Sequence, residues 1–415
     1  MIGPNWSGAE NADASLSRAG EQSGQVRIAV VTGSRAEFGL LRPVMQAIAE
    51  RAELELLVIA AGSHLVLPAL TFREVKAEFE VADSVPMQVA GRIGRLEDAE
   101  SLGKGIARFA RSFGHLRPDW VVVLGDRIEA FAAAAAASVG GIALAHLHGG
   151  DLAEGVADDA MRHAITKLAH LHLPATLDAA ARLRRMGEDE DTIEVVGSPA
   201  IDDLHTIPEL DEAPFQELGS PEIVLLQHPI GRSDEREEAV ASACFEASRN
   251  VSEGTAGEPP RRVLWLGPNL DPGRDGILRA QRAAEGLPNV TVREHLTRDT
   301  FVGLLKRLAA PLAGGGGFLV GNSSSALIEA QAIGVPAINV GRRQGVGPSA
   351  RQRGSGVVDA ETETREAVAE AIGRALAIRR DEIQHPFGDG HAGRRAAQAI
   401  AAAGRGVSLR KRWVV

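Results

Sequence analysis

The sequence predicts an α/β protein made of two domains of similar build, each with a parallel sheet, facing each other across a cleft. Three observations lead there. At 415 residues the chain is longer than one hydrophobic core usually serves. Short β-branched runs alternate with longer helical patterns, and the runs are continuously apolar, as strands covered on both faces must be. The alternation lapses at "HTIPELDEAPFQELGSPE" (205–222), a stretch rich in Pro and Glu, and then begins again.

In chain order, "VRIAVVTG" (26–33) reads as a buried strand feeding the helix "FGLLRPVMQAIAERA". "LELLVIAAG" (54–62) and "DWVVVLGD" (119–126) repeat the theme. A helix through "AFAAAAAASVG" leads into "IALAHLHGG" (142–150), and "IEVVGSPAIDDL" is strand-like. These elements define a first domain over 26–205, followed by a linker at 206–221. "IVLLQHP" (223–229), "RVLWLGPN" (262–269), "VTVREH" (290–295), "FLVGNSS" (318–324) and "PAINVG" (336–341) rebuild the pattern in a second domain over 222–388. Ligands of such sheets collect at the carboxyl ends of the strands. Nearly every polar residue of interest ends a strand.

Composition narrows the function classes. Hydrophobic residues make up 44% and charged residues 24%, ordinary for a soluble globular protein. A net charge of −10 argues against a nucleic-acid partner. The one cysteine, Cys244, excludes an intrachain disulfide and a Cys-based zinc site, so a reducing cytoplasm fits. Apolar runs stop well short of the roughly 20 residues a membrane-spanning helix needs. Residues 1–25, "MIGPNWSGAENADASLSRAGEQSGQ", lack the basic start and apolar run of a signal peptide and read as a disordered leader.

The segment "GNSSSALIEAQAIGVP" (321–336) places Ser323, Ser324 and Ser325 where a strand passes into a helix. Free N–H groups and hydroxyls there suit a phosphate; plain N-capping would explain the serines equally well. Glu329, one to two turns on, would repel phosphate but could accept from a pair of ribose hydroxyls, and serines plus glutamate describe a nucleotide site. The turn of "TGSRAEFG" (32–39) carries a single glycine, Gly33, without the three of a dinucleotide fingerprint or the Gly-Lys-Ser/Thr of a phosphate loop, so no NAD or ATP is expected. Arg35 in that turn could meet a phosphate across the cleft or form a surface ion pair.

"LGDRIEA" puts Asp126 and Arg127 directly after a strand. "HLHGGDLAEGVADDAMRHAITKLAH" then gathers His146, His148, Asp151, Glu154, Asp158, Asp159, Arg162 and His163. Asp158 with Arg162, and Asp159 with His163, are i, i+4 pairs that could be simple charge complementarity on a helix. So many titratable groups at one strand end also suit a division of acid and base roles. His146 with His148, and His170 with His172, could each face an ion, yet no cysteine ligand or HExxH spacing supports zinc, and no metal is expected. His228 and His295 end strands in the second domain and could be structural. Asn269 sits in the loop "GPNLDPG", and Arg342 and Arg343 follow another strand end, suited to phosphate.

With these residues in place the sequence resembles the hydrolysing UDP-N-acetylglucosamine 2-epimerases of sialic-acid and related nonulosonic-acid (for example legionaminic-acid) pathways. The resemblance runs from about 26 to 400. It rests on the ordered set "TGSRAEFGLLRP", "LGDRIEA", "HLHGGD", "ADDAMRHAITKLAHLHL", "LQHP", "GPNLDPG", "GNSSSALIEAQAIGVP", "NVGRRQ" and "FGDGHAGRR". It implies two Rossmann-like domains in a glycosyltransferase-B-like arrangement, with 389–415 forming a helix that crosses back to the first domain and a tail. Arg35 and Arg127 resemble first-domain residues that reach the nucleotide. His228, Asn269, His295, Ser323, Ser324, Glu329 and Arg343 resemble its contacts in the second domain. Asp126 and Asp158 resemble the acid–base carboxylates, and His228 would also help the diphosphate leave. His148 stands where some members carry a catalytic glutamate, and Phe38 where a tyrosine is common.

The resemblance implies a cofactor-free route. Departure of the nucleoside diphosphate from C1 makes the C2 proton removable, a glycal forms, and water adds at C1 while a proton returns to the other face of C2. A homodimer or homotetramer is also implied. The alternatives are a non-hydrolysing epimerase, a retaining glycosyltransferase of the same fold, and an inactive nucleotide-sugar-binding protein.

Overall fold

The computed structural model describes residues 24–67, 70–92, 94–154, 158–250, 261–269, 271–310, 316–345 and 350–411. The expected leader lies almost wholly outside them. The first domain's strands are β1 (Val26–Thr32), β2 (Leu54–Ala61), β3 (Val81–Val85), β4 (Trp120–Leu124), β5 (Ala143–Leu147) and β6 (Leu171–Leu173). The second domain's are β7 (Ile223–Leu226), β8 (Val263–Leu266), β9 (Val290–Arg293), β10 (Phe318–Gly321), β11 (Ala337–Asn339) and β12 (Val357–Asp359). Both sheets are parallel, ordered β3-β2-β1-β4-β5-β6 and β12-β11-β10-β7-β8-β9. Each reverses its winding once, between β1 and β4 and between β7 and β10. A crevice opens at the carboxyl ends of the strands at such a reversal.

Alternation along the central strands makes both sheet faces apolar. Ile28, Val30, Trp120 and Val122 pack with Leu41, Met45 and Ile48 of the helix Arg35–Ala49. Ala29, Val31, Val121 and Val123 face the other way, against Phe109, Phe113 and the alanines of the helix Ile128–Val139. Side chains that alternate at period two require this two-sided core. The second sheet does the same, with Val224, Leu264 and Leu319 on one face and Leu225, Trp265 and Val320 on the other.

Three differences from expectation have simple causes. β3, β6 and β12 are edge strands of three to five residues, too short or too polar to stand out. "IEVV" makes only an isolated bridge, His172 to Ile193, before the chain turns at Ser198 into a 3-10 turn, Pro199–Ile201. The 206–221 segment carries a helix, Glu212–Glu217, and Ile207, Phe215 and Leu218 are buried with Leu304 and Leu305, so it forms a wall of the second domain's core rather than a free tether.

The last helix, Ala392–Ala403, lies on the first domain. Asp202 accepts from the N–H groups of Ala392 and Gly393 at 2.9 and 2.6 Å and fixes where it starts. Ala396, Ala397 and Ile400 enter the core beside Leu41 and Val44. Gly393 is needed there, because a Cβ would come within 2.6 Å of the Pro43 carbonyl carbon. Beyond the helix, Trp120 Nε1 donates to the Gly404 carbonyl at 2.7 Å.

Candidate active site

Each winding reversal carries one wall of the candidate site. After β1, Ser34 caps the helix Arg35–Ala49, its hydroxyl accepting from the Glu37 N–H at 3.4 Å. Arg35 is the first residue of that helix, and its Nε pairs with Glu74 at 3.3 Å, so the surface ion pair is the arrangement observed. After β4, Asp126 is ion-paired by Arg162, whose Nη1 also donates to the His148 carbonyl at 3.0 Å. Arg162 thus ties the Asp126 carboxylate to the His148 backbone. Asp158 opens the helix Asp158–Leu168, but its side chain lies outside the described residues. Asp159 accepts from the Ala153 N–H at 2.8 Å.

Beneath these turns lies a group of charges of which only Arg127 was picked out in the sequence. Arg127 Nε is 3.4 Å from Glu129 Oε2, and Glu129 is fully buried. Gly33 and Gly62 admit it: a Cβ on either would come within 2.6 Å and 2.1 Å of Glu129 atoms. Glu37, also buried, accepts from the Gly33 N–H at 2.6 Å. Burial, and then the nearby charge of Glu129, raise Glu37 from 4.5 to about 8, so it holds a proton at neutral pH.

The folded chain keeps that proton between about pH 4.5 and 8, where the unfolded chain has lost it, so stability falls as pH rises through this window. Glu37→Gln keeps an acceptor for Gly33 and has no proton to lose. Urea unfolding should show the variant gaining about 1–3 kcal/mol over the parent at pH 8 relative to pH 5. A difference that does not change with pH would place the proton elsewhere.

At the end of β5 the histidines separate. His146 is buried and burial lowers it to about 3; its Nε2 bonds the Gly125 carbonyl at 2.8 Å. His172 pairs with Glu188 at 2.9 Å. The two strand pairs of histidines thus face different partners, and no metal-binding cluster occurs among the described residues.

His148, at φ 59, is 3% exposed and engaged at both nitrogens. Nδ1 lies 2.7 Å from Asp151 Oδ2, and Nε2 lies 3.1 Å from Ser198 Oγ. The order Ser–His–Asp resembles a charge relay, but Ser198 is fully buried, so no substrate carbonyl reaches it. Asp151 also accepts from Arg351 Nη2 at 2.5 Å, a contact between the domains. Both ring nitrogens of His148, expected from the resemblance at a catalytic position, are thus within hydrogen-bond distance of buried partners. His148 is tied into the wall behind Asp126.

In the second domain, Asn322 binds the ends of β7 and β10 together. Its Oδ1 accepts from the His228 N–H at 2.7 Å and its Nδ2 donates to the His228 carbonyl at 2.8 Å. His228 Nδ1 accepts from the Asn269 N–H at 3.2 Å, which leaves Nε2 as the protonated nitrogen of a neutral ring. Burial, then Arg343, lower its pKa to about 3. Asn269 is thus a held turn residue, its side chain donating to Asp271 at 2.5 Å.

Ser323 caps a single helical turn, Ser324–Leu327, and its Oγ lies 2.9 Å from Ser325 Oγ. The helix expected through this segment breaks at Ile328, and Glu329 opens a second short helix, Glu329–Ile333. The long-helix dipole drops out of the phosphate reading, which leaves local N–H groups and hydroxyls. Arg343 Nη1 approaches the Asn322 carbonyl at 3.5 Å, beside the serines. His295, exposed past β9, lies two strands from β7 and is not brought to the winding reversal.

Asp126 thus lies just past β4 at the first sheet's winding reversal, while His228, the serines and Arg343 gather at the ends of β7, β10 and β11 in the second; the Arg351–Asp151 and Glu154–Arg343 contacts join the two domains. Asn322, Arg351, Ser198, Glu129 and Arg298 complete this arrangement and were not singled out in the sequence. Asn322, Glu129 and Ser198 lay inside segments already quoted; Arg351 and Arg298 did not.

The family model described as UDP-N-acetylglucosamine 2-epimerase matches residues 46–401. The chain is 31% identical over 381 residues to the "UDP-N,N'-diacetylbacillosamine 2-epimerase (hydrolyzing)" of Legionella pneumophila, covering 90% of this chain and 95% of that one. It is 30% identical over 375 residues to the "UDP-N-acetylglucosamine 2-epimerase" of Neisseria meningitidis, covering 88% and 91%. The fold is that of Staphylococcus aureus MnaA solved with UDP, with a TM-score of 0.73 at 18% identity over 94% of this chain and 100% of that one. The Neisseria enzyme solved with UDP-GlcNAc superposes at a TM-score of 0.71 and 17% identity, over 91% and 100%. The chain belongs to the UDP-N-acetylglucosamine 2-epimerase family.

Proposed function

We propose that this protein is a hydrolysing 2-epimerase, converting a nucleoside-diphosphate-linked 2-acetamido sugar and water into the free C2-epimeric sugar and the nucleoside diphosphate. The observation that supports the reading is that Asp126 lies at one sheet's winding reversal and His228, Ser323 and Ser324 at the other's, with Arg343 beside the serines. The hydrolysing activity named for the Legionella relative supports the choice of product.

C2 of the sugar has no neighbouring carbonyl, so its proton is not acidic until charge builds at C1. The diphosphate takes the C1–O bonding pair as it leaves. The Nε2–H of neutral His228, the Ser323 and Ser324 groups and Arg343 are the donors that stabilise it there. Arg127 and Arg35 reach from the other wall, Arg35 on giving up its exposed partner Glu74. A carboxylate takes the C2 proton, and we assign that role to Asp126, held in place by Arg162. Water then adds to C1 of the glycal while C2 is protonated from the opposite face, a role open to Asp158. His148 acts behind Asp126 as a positioning group. Asn269 supports His228 and Glu329 takes the ribose hydroxyls, while His295 is left for the outer, base end of the nucleotide.

The test is proton NMR in heavy water with UDP-N-acetylglucosamine, its 2,4-diacetamido analogue and the GDP-linked sugars. Free epimeric sugar with deuterium at C2, formed together with nucleoside diphosphate, is the expected result. Accumulation of an epimeric sugar nucleotide would replace this reading with the non-hydrolysing one.

A further inference from the structure

Glu329 is 8% exposed, and a carboxylate so placed needs a cation. Burial raises its pKa, and the Arg298 guanidinium opposes that rise. Arg298 Nη1 lies 3.5 Å from Glu329 Oε1, a long contact that leaves the carboxylate oxygens capacity for other donors. Arg298 itself does not wander. Its Nε and Nη2 donate to Asp203 Oδ2 and Oδ1 at 2.9 and 2.5 Å, a two-pronged pair, and Nη2 also donates to the Ala200 carbonyl at 2.6 Å. Asp203 is held from the other side by Arg42 Nη2 at 2.8 Å. Arg42 belongs to the helix Arg35–Ala49, which starts at the β1 turn. Arg298 Cδ also closes over Gly39 of that helix, where a Cβ would meet it at 3.1 Å. A chain of ions, Arg42–Asp203–Arg298–Glu329, therefore runs from the first domain to the proposed ribose carboxylate.

We infer that Arg298 is the positioning residue for ribose recognition, holding Glu329 ionised and aimed so that it accepts from the two ribose hydroxyls. Asp203 fixes the guanidinium so that its third nitrogen, Nη1, reaches Glu329 without taking up both oxygens. This inference rests on the ribose reading of Glu329 given above. It makes Arg298 a determinant of ribose over 2′-deoxyribose without itself touching the nucleotide.

The test measures, by calorimetry, the affinity ratio of UDP to 2′-deoxy-UDP, and of GDP to 2′-deoxy-GDP, for the parent chain and three variants. A ratio taken within one preparation does not depend on how much of a variant is folded. The parent should prefer the ribonucleotide roughly tenfold or more, the range of a hydrogen bond to a charged acceptor. Glu329→Gln should bring the ratio near one. Arg298→Gln should lower the ratio towards one near neutral pH and recover part of the preference as pH is raised, because burial disfavours the charged form of Glu329 and its cation is gone. Arg298→Lys, which keeps charge but not the two-pronged hold on Asp203, should fall between.

If Glu329→Gln keeps the parent's preference, the ribose reading fails. If Glu329→Gln loses it but Arg298→Gln keeps it at every pH, the ribose reading stands and the role given to Arg298 is overturned. A loss in Arg298→Gln that pH does not restore also overturns it, since that is what loosening of the domain contact alone would produce.

Discussion

Asp126→Asn should lose turnover by about 10²- to 10⁴-fold, the usual worth of a positioned general base, while nucleoside-diphosphate affinity stays within a few-fold of the parent. The separation follows from geometry. The proposed diphosphate donors lie at the ends of β7 and β10, whereas Asp126 follows β4 in the other domain. The asparagine keeps an oxygen for Arg162, so the ion pair becomes a hydrogen bond and the wall formed by Arg162 and the His148 carbonyl stays intact. Exchange of the C2 proton with solvent, followed by deuterium incorporation, should vanish together with product. If exchange persists while product is lost, Asp126 acts at the water-addition step and the C2 base lies elsewhere. Intact turnover would remove Asp126 from the chemistry altogether.

Strand identity was legible because the central strands are apolar on both faces. β1, β4, β7 and β10 are the strands flanking the winding reversals, so the strands that position the site were also the easiest to read. β3 and β12 escaped because they are short and partly exposed, and β6 because it is only three residues long. Within the site, residues directly after a strand (Asp126, His228, Ser323) were legible, since strand ends mark a ligand crevice whatever the ligand.

Their partners were not legible. Arg351 meets Asp151 across 200 positions and Arg298 meets Asp203 across 95, and no local periodicity encodes such pairs. The partners of His148 have the same origin. Its spacing in "HLHGG" is that of a catalytic position, but the long-range contacts with Ser198 and Arg351 occupy the imidazole. Helix continuity past Ser324 was overread for a different reason. The apolar pattern of "SALIEAQAI" is helical throughout, and the break at Ile328, φ −105 and ψ −75, comes from the packing of two short helices, which pattern does not report.

Arg351→Met should cost about 3–5 kcal/mol of stability at pH 7, because it leaves a buried carboxylate without its cation. Asp151 is 1% exposed. Burial pushes its pKa up, but Arg351 and the hydrogen bond from His148 outweigh burial and hold it well below the usual carboxylate range. A carboxylate held down in this way adds stability above its unfolded value of 3.8 and loses it as pH falls below that value. The gap between parent and variant should therefore be widest near neutral pH and close as the pH is taken below about 4 in urea unfolding.

Asp151→Asn in the Arg351→Met background removes the stranded charge and should recover part of the loss, so the two changes should be far from additive. Additive costs would mean that Asp151 finds another cation in the variant, and Arg182 is the candidate, since its charge lies close enough to register the Asp151 carboxylate. The same variant bears on turnover. Arg351 belongs to the second domain and Asp151 to the first, and beside them the Glu154 N–H donates to the Arg343 carbonyl at 2.8 Å. Releasing this contact frees the wall behind Asp126 from the donor cluster opposite. On the proposed mechanism, turnover should fall more than nucleotide affinity does, because the proposed nucleotide contacts, His228 and the serines, lie in one domain while the proposed C2 base, Asp126, lies in the other.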